Sequence, residues 1–307
     1  MIGLRLALGA IAVMAVMTAG MGGLAVLDYQ VSAPEHSMVL LTGGHSEYWQ
    51  ALATGAQAAA DENGVDLSIA WPPAGETRCG KLSMAGSSGF TATCGYGPGG
   101  ATQTFHVGEA SFGAGRRCAK YVTSLLHDGD DVLLIVDNRC CALPIERLQG
   151  FQHAMKFWMG ADPQSSQAKS KCIVKHLVTE GERTAAQQIA AAISRHSPRV
   201  VVDLRLGAAT ELAAAVADLS DPPLLVTFDQ SEAALELVEL GKVAGIIAHD
   251  PRLCGYLAVD RLAYFHSAEK LAFPAAGKGQ LNVPAVIVRP GEVAEFRASL
   301  KQAEAAL

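Results

Sequence analysis

Clustered basic residues are missing from this sequence, and so are the spacings by which cysteine and histidine hold metal ions. The net charge is -6 and the sequence pI is near 5.8. A nucleic-acid surface needs Lys and Arg gathered on one face. Only Lys171, Lys175 and His176 come near that, and they read as a solvated strand end, so nucleic acid is not an expected partner. There is no CxxC and no HxxxH, and Cys140-Cys141 with His153 forms no recognised ligand set. No metal and no cofactor is therefore expected. Gly95-Tyr96-Gly97-Pro98-Gly99-Gly100 formally fits GxGxxG, but no convincing strand precedes it and Pro98 between glycines cannot open a stable helix. Ala85-Gly86-Ser87-Ser88-Gly89 lacks the strand-turn-helix setting of a nucleophile elbow and reads as a flexible loop. No spacing sets acids, bases and nucleophiles as a triad or dyad, so an enzyme reading has no support of its own.

The chain has 307 residues, half of them apolar, enough for a sizeable core in one or two domains. Residues 6–27 carry no charge, preceded by Arg5 and followed by Asp28. The run is long enough to span a bilayer and long for a secretory signal. Val31-Ser32-Ala33 offers a cleavage site, while Gly9, Gly20, Gly22 and Gly23 weaken a spanning helix. Residues 1–36 are thus a signal peptide or a membrane anchor with a linker, and either directs export. The expected place is the periplasm or another extracytoplasmic space, at the inner membrane if the segment is uncleaved. No Cys follows the run, which argues against a lipoprotein anchor. Seven cysteines suit an oxidising compartment, with at least one left unpaired. Cys79 and Cys94 flank a Gly/Ser-rich stretch and are the first pair to join. Cys118, Cys172 and Cys254 read as buried free thiols.

From residue 38 onward, apolar β-rich runs alternate with helical patterns. Strands are expected over 38–41, 65–70, 131–136, 172–178, 199–202, 224–228, 243–247 and 285–288. Helices are expected over 47–62, 111–126, 144–159, 183–195, 208–219, 231–240 and 253–267. Ser46 is placed to cap the first helix, and Gly64 to end it. Continuous apolar strands with helices between them imply parallel sheets covered on both faces. Residues 72–104 break the rhythm with Pro72-Pro73 and eight glycines, and read as a long loop, a twisted hairpin or a partly disordered stretch, without a long helix.

Two segments belong together: Val39 to Gln50 running into Leu52 to Ala60, and Leu224 to Asp229 followed by Gly241 to Pro251 and Gly255 to Val259. With Glu146-Arg147-Leu148-Gln149-Gly150-Phe151 and Leu281-Asn282-Val283-Pro284, they resemble the periplasmic-binding-protein type I family, the ribose- and galactose-type sugar-binding proteins. The resemblance implies an α/β fold with two lobes, parallel sheets flanked by helices, and a chain that crosses between lobes three times. Lobe one would be residues 37–109 with 251–280, and lobe two 110–250 with 281–307. Residues 72–104 are too short for the strand-helix-strand-helix-strand run the family places there, so the N-terminal lobe is reduced. The family's sugar-gripping Asp and Arg from that run have no match, and Ile145 stands where an Arg usually precedes the ERxxGF motif.

The resemblance implies a ligand cleft between the lobes. Tyr48 and Trp49 match its aromatic positions, where a flat ring buries the C–H face of a sugar; one of the two packing into the core is the alternative. His45 and Ser46 share that loop. Asp229 ends a buried strand, where a carboxylate accepts two hydroxyls, or else caps the helix near Ser231. His249 stands where a Gln or Asn usually reaches both lobes. Asn138 and Arg139 supply polar contacts or are turn residues. The implied protein is a binder of a monosaccharide or small polyol, working with a membrane transporter or sensor. A degenerate fold acting as an interaction module is the alternative. A lac-repressor-type regulator would need a helix-turn-helix where the export segment stands.

Overall fold

A computed structural model describes residues 37–74, 81–84, 91–95, 104–137, 143–158, 172–177, 183–267 and 279–306. They form two six-stranded sheets, each with its own helices.

The first sheet contains β1 (Ser37–Leu41), β2 (Asp66–Ala70), β3 (Lys81–Met84), β4 (Thr91–Cys94), β5 (Phe105–Glu109) and β11 (Gln280–Val283), in the order β11-β5-β4-β3-β1-β2. β3 runs antiparallel to both its neighbours, and the other pairings are parallel. Residues 72–104 thus supply a two-stranded insert rather than βα units, and their described residues contain no helix. Helices α1 (Glu47–Asn63) and α7 (Pro251–Ser267) pack on one face of this sheet. Met38, Leu40, Ala92, Cys94, Phe105, Val107 and Val283 form that core with Leu52, Ala56 and Ala59 of α1 and Cys254, Ala258 and Leu262 of α7. Because side chains alternate along a strand, the other face takes Ser37, Val39, Asp66, Ser68, Thr93, His106, Gln280 and Asn282. Among these Asp66, Ser68, Gln280 and Asn282 are exposed. The expected helices on both faces are therefore found in the second sheet, whereas the described helices cover one face of the first. The reason lies in the strands: Asp66-Leu67-Ser68-Ile69, Thr91-Ala92-Thr93-Cys94 and Gln280-Leu281-Asn282-Val283 alternate polar with apolar.

The second sheet contains β6 (Val132–Val136), β7 (Cys172–His176), β8 (Val200–Leu206), β9 (Leu224–Phe228), β10 (Gly245–Ala248) and β12 (Val286–Val288), in the order β12-β10-β9-β8-β6-β7. Only β12 runs antiparallel to its neighbour. α2 (Ser111–Thr123) and α3 (Leu143–Trp158) cover one face, and α4 (Ala185–His196), α5 (Ala209–Ala214), α6 (Glu232–Glu239) and α8 (Val293–Ala306) the other. All five residues of β6 are buried, as a strand between two helical layers requires. α5 is shorter than its sequence pattern.

Each half interlocks one helix pair through reciprocal glycines. A Cβ on Gly55 of α1 would lie 1.9 Å from the carbonyl oxygen of Arg252, and one on Gly255 of α7 would lie 1.9 Å from that of Leu52. In the second half, a Cβ on Gly115 of α2 would meet Arg147 O at 2.1 Å, and one on Gly150 of α3 would meet Phe112 O at 2.0 Å. Glycine is thus required for the backbones to approach. This accounts physically for Gly150-Phe151: the glycine makes the contact, and the fully buried Phe151 fills the core beside it.

The chain passes between the halves three times: after β5 into α2, after β10 into α7, and from β11 into β12. Cys94 is a free thiol buried in the first core, which corrects the expected pairing with Cys79, a residue outside those described. Its position explains this: the side chain points inward from β4 towards α7, and burial pushes its pKa up to about 12. Cys118 and Cys254 are buried free thiols and Cys172 a half-buried one. Among the described residues no helix is long and apolar enough to cross a membrane; residues 6–27 lie outside them.

Candidate functional site

The parallel strands of each sheet end on an edge that faces the other half, and the best-defined contact between the halves is a buried polar chain. Glu109, the last residue of β5, accepts two hydrogen bonds from Arg147 of α3, Nε to Oε1 at 2.9 Å and Nη2 to Oε2 at 3.0 Å. Arg147 Nη1 donates to Leu204 O at 2.8 Å, and the guanidinium lies 4.1 Å from the centre of the Phe228 ring. His249, just after β10, places Nδ1 3.3 Å from Glu109 Oε2, without the alignment of a hydrogen bond. Its Nε2 lies 3.4 Å from the Tyr48 hydroxyl, and the two rings meet edge to face at 5.6 Å. All four side chains are buried. Burial alone would raise the Glu109 pKa, but the Arg147 guanidinium and His249 outweigh it and hold the carboxyl at about 2. A bidentate pair whose third guanidinium nitrogen also donates to a carbonyl is the arrangement in which a buried ion pair is tolerated.

Tyr48 and Trp49 both belong to the first core, 7 % and 3 % exposed. They pack edge to face on each other at 5.2 Å. The Tyr48 hydroxyl presses on Gly95, where a Cβ would come within 2.4 Å of it, and the Trp49 ring lies against Gly44. Ser46 is exposed and holds the N-cap position of α1 with extended backbone, but its side chain makes no capping bond. His45 is exposed; its Nε2 lies 2.7 Å from Pro72 O and its ring stacks on Trp71. Glu47 crosses to the second half and accepts from Glu232 N, at the start of α6, at 3.3 Å.

Asp229 is buried and its carboxylate is engaged by backbone N–H groups. Oδ1 accepts from Gln230 at 2.8 Å and Ser231 at 2.9 Å, and Oδ2 from Ala209 at 3.2 Å. It thus orders the approach to α6 and the first residue of α5, while Ser231 itself caps α6 through Ala234 N. Asn138 and Arg139 lie outside the described residues. The structure therefore brings Tyr48 and His249 together, sets Asp229 at the adjacent strand end, and leaves His45 and Ser46 exposed.

Sequence reading missed Glu109 and Arg147 as site residues. Arg147 lies four residues before Phe151 and so on the same, apolar helix face; a charge there signals a buried partner. It also missed Asp203 and Arg205 at the end of β8. Asp203 is fully buried, and Arg205 binds it through Nε and Nη2, the latter at 2.6 Å, and reaches Glu211 at 2.8 Å. Burial raises the Asp203 pKa against the pull of Arg205. Gln230 Oε1 and Thr227 Oγ1, nearby on β9 and after it, are buried without a hydrogen-bond partner. Leu206 packs against the cores of both halves. A cavity of about 470 Å³ lined by Asp131, Ser197, Arg199 and Pro223 lies at the opposite, N-terminal end of the second sheet, away from these groups. Among the described residues, no group of three His, Cys, Asp or Glu is placed to hold a metal ion.

Residues 97–270, more than half of the chain, match the sequence model of the family described as periplasmic binding protein domain. The chain belongs to this family. The matched region begins after β4, so the shortened part of the first sheet lies outside it. Three solved structures share the fold. GanP, a glucose-galactose binding protein from Geobacillus stearothermophilus, is 16 % identical, with a TM-score of 0.65 over 83 % of this chain and 97 % of that one. A carbohydrate transporter solute binding protein from Agrobacterium radiobacter, in complex with D-arabinose, is 14 % identical, with a TM-score of 0.66 over 88 % and 99 %. A carbohydrate transporter from Acidothermus cellulolyticus, in complex with myo-inositol, is 17 % identical, with a TM-score of 0.65 over 88 % and 99 %. No curated protein matches the sequence. The type I α/β architecture, with its first part shortened, is the one the sequence resemblance implied.

Proposed function

We propose that this chain is an exported solute-binding protein that holds a small sugar-like ligand between two lobes and passes it to a transporter or a sensor. The lobes are residues 37–109 with 251–280 and residues 110–250 with 281–307. The observation that carries the reading is membership of the binding-protein family combined with strand-end contacts between the two halves, Glu109 with Arg147 and Tyr48 with His249, beside three crossings. Ligands of open α/β sheets bind at the carboxyl ends of the strands, and crossings of this kind act as a hinge. The similar structures hold sugars or a polyol at low sequence identity. Of the ligand contacts that the resemblance implies, we keep His45, Ser46, Asn138, Arg139, Asp229 and His249, whereas Tyr48 and Trp49 are buried in the first core. The protein acts as a binder rather than a catalyst, outside the cytoplasm. Residues 1–40 fused to a reporter active only after export should switch that reporter on.

A thermal-shift screen against a sugar panel tests binding. A ligand at 100 times its Kd should add about 2.7 kcal/mol of stability. If no monosaccharide or polyol moves the transition, a second reading takes over, a binding-protein fold kept as an interaction module. Its support is that Tyr48 and Trp49 are core residues and that backbone donors occupy Asp229.

A further inference from the structure

The aromatic positions matched to the family face the wrong way for stacking. Tyr48 and Trp49 are buried in the first core, each sealed against a glycine. One indole does stand open beside them. Trp71 follows β2, the edge strand of the first sheet, and is 39 % exposed. Its segment is pinned to the β1–α1 loop: Thr42 N and Oγ1 both donate to Ala70 O, at 3.0 and 3.3 Å, and His45 Nε2 contacts Pro72 O at 2.7 Å. The His45 ring stacks on the Trp71 ring, centroids 5.5 Å apart and 19° from parallel. Pro72 is buried and restricts the residue before it to extended backbone, so the indole stands on a stiff support. Two residues beyond His45, Glu47 touches the second half, so this loop borders the gap between the halves.

We propose that Trp71, backed by His45, is the platform on which a saccharide ring lays its C–H face, at the open edge of the cleft and in place of Tyr48 or Trp49. The inference rests on the saccharide-binding reading and adds the residue that meets the face of the ring. A planar indole offers apolar area to the axial C–H face of a pyranose or an inositol, and the pre-formed stack loses little freedom on binding. Exposure also separates the role from a packing one, because truncating a ring that lies on the surface leaves the core intact.

The test is calorimetric titration of D-glucose, D-galactose, D-ribose, D-arabinose and myo-inositol into the parent, Trp71→Ala, Trp71→Phe and Trp49→Phe proteins, with indole emission recorded in parallel. For each compound that the parent binds, Trp71→Ala should weaken binding by about tenfold or more, as loss of a Trp contact does. Trp71→Phe should retain most of the affinity, and both variants should keep a single cooperative thermal transition. The emission change on binding should persist in Trp49→Phe and vanish in Trp71→Phe. A compound that binds parent and Trp71→Ala equally overturns the platform and leaves the binding function standing. A parent that binds none of the five overturns both.

Discussion

The two halves pack helices alike but treat their sheets differently. Each interlocks one helix pair through glycines on both partners. The second sheet is enclosed by helices on both faces, and β6 and β10 are buried throughout. The first has its described helices on one face, and its strands alternate. Among the described residues, β3 and β4 stand between β1 and β5 without a helix, and the strands on that face carry polar residues in alternate positions. Sheet composition therefore follows the layers available to cover it, within one chain and one fold family.

The comparison breaks most readily where the halves join. Arg147→Ala should destabilise the protein by about 3–5 kcal/mol in denaturant unfolding, because Glu109 would keep a buried, uncompensated charge. Replacing both by apolar residues, Glu109→Leu with Arg147→Met, should recover most of that. A double variant as unstable as Arg147→Ala would mean the pair does more than neutralise itself.

Acid should act through the same pair. The folded Glu109 pKa, about 2, lies below its ordinary 4.5. Its contribution is therefore complete above pH 4.5 and is lost as pH falls from there towards 2. The amount is on the order of 3 kcal/mol. Stability measured from pH 6 to pH 2.5 should fall less steeply in the double apolar variant than in the parent.

Next come the interlocked helices. Gly55→Val in the first half and Gly150→Val in the second should each cost about 1–3 kcal/mol or more, since backbone atoms stand in the way of the new side chain. Similar losses support equivalent packing; a much milder loss at Gly55 would show that the first half yields. The smallest effect belongs to the exposed positions of the edge strand β2. Ser68→Val on β2 should change stability by no more than about 0.5 kcal/mol, as an exposed substitution does.

Much of the second half was legible in advance. Uninterrupted runs such as Val132-Leu133-Leu134-Ile135-Val136 announce buried parallel strands. The hairpin was legible only as one of three options, because β3 and β4 have four residues each and sit among glycines. Tyr48 and Trp49 could have been read as core: residues 48, 49, 52, 53, 55, 56, 59 and 60 of α1 are buried, a wide stripe of small and aromatic residues. Asp229 could not. Whether a carboxylate at a strand end meets a ligand or three backbone N–H groups depends on how neighbouring loops return to it, and residue type does not encode that.

On the hinge reading proposed above, Leu206 would work as a dial. It sits half-buried where the chain leaves β8 and touches apolar groups of both halves. Parting the halves would draw it from one set of contacts. Full exposure of a leucine costs about 1.5–3 kcal/mol, and one already half-exposed forfeits only part of that. A difference of this size is a several-fold bias between shut and open populations rather than a lock. One methylene more or less at this position would move the resting balance without touching any polar group.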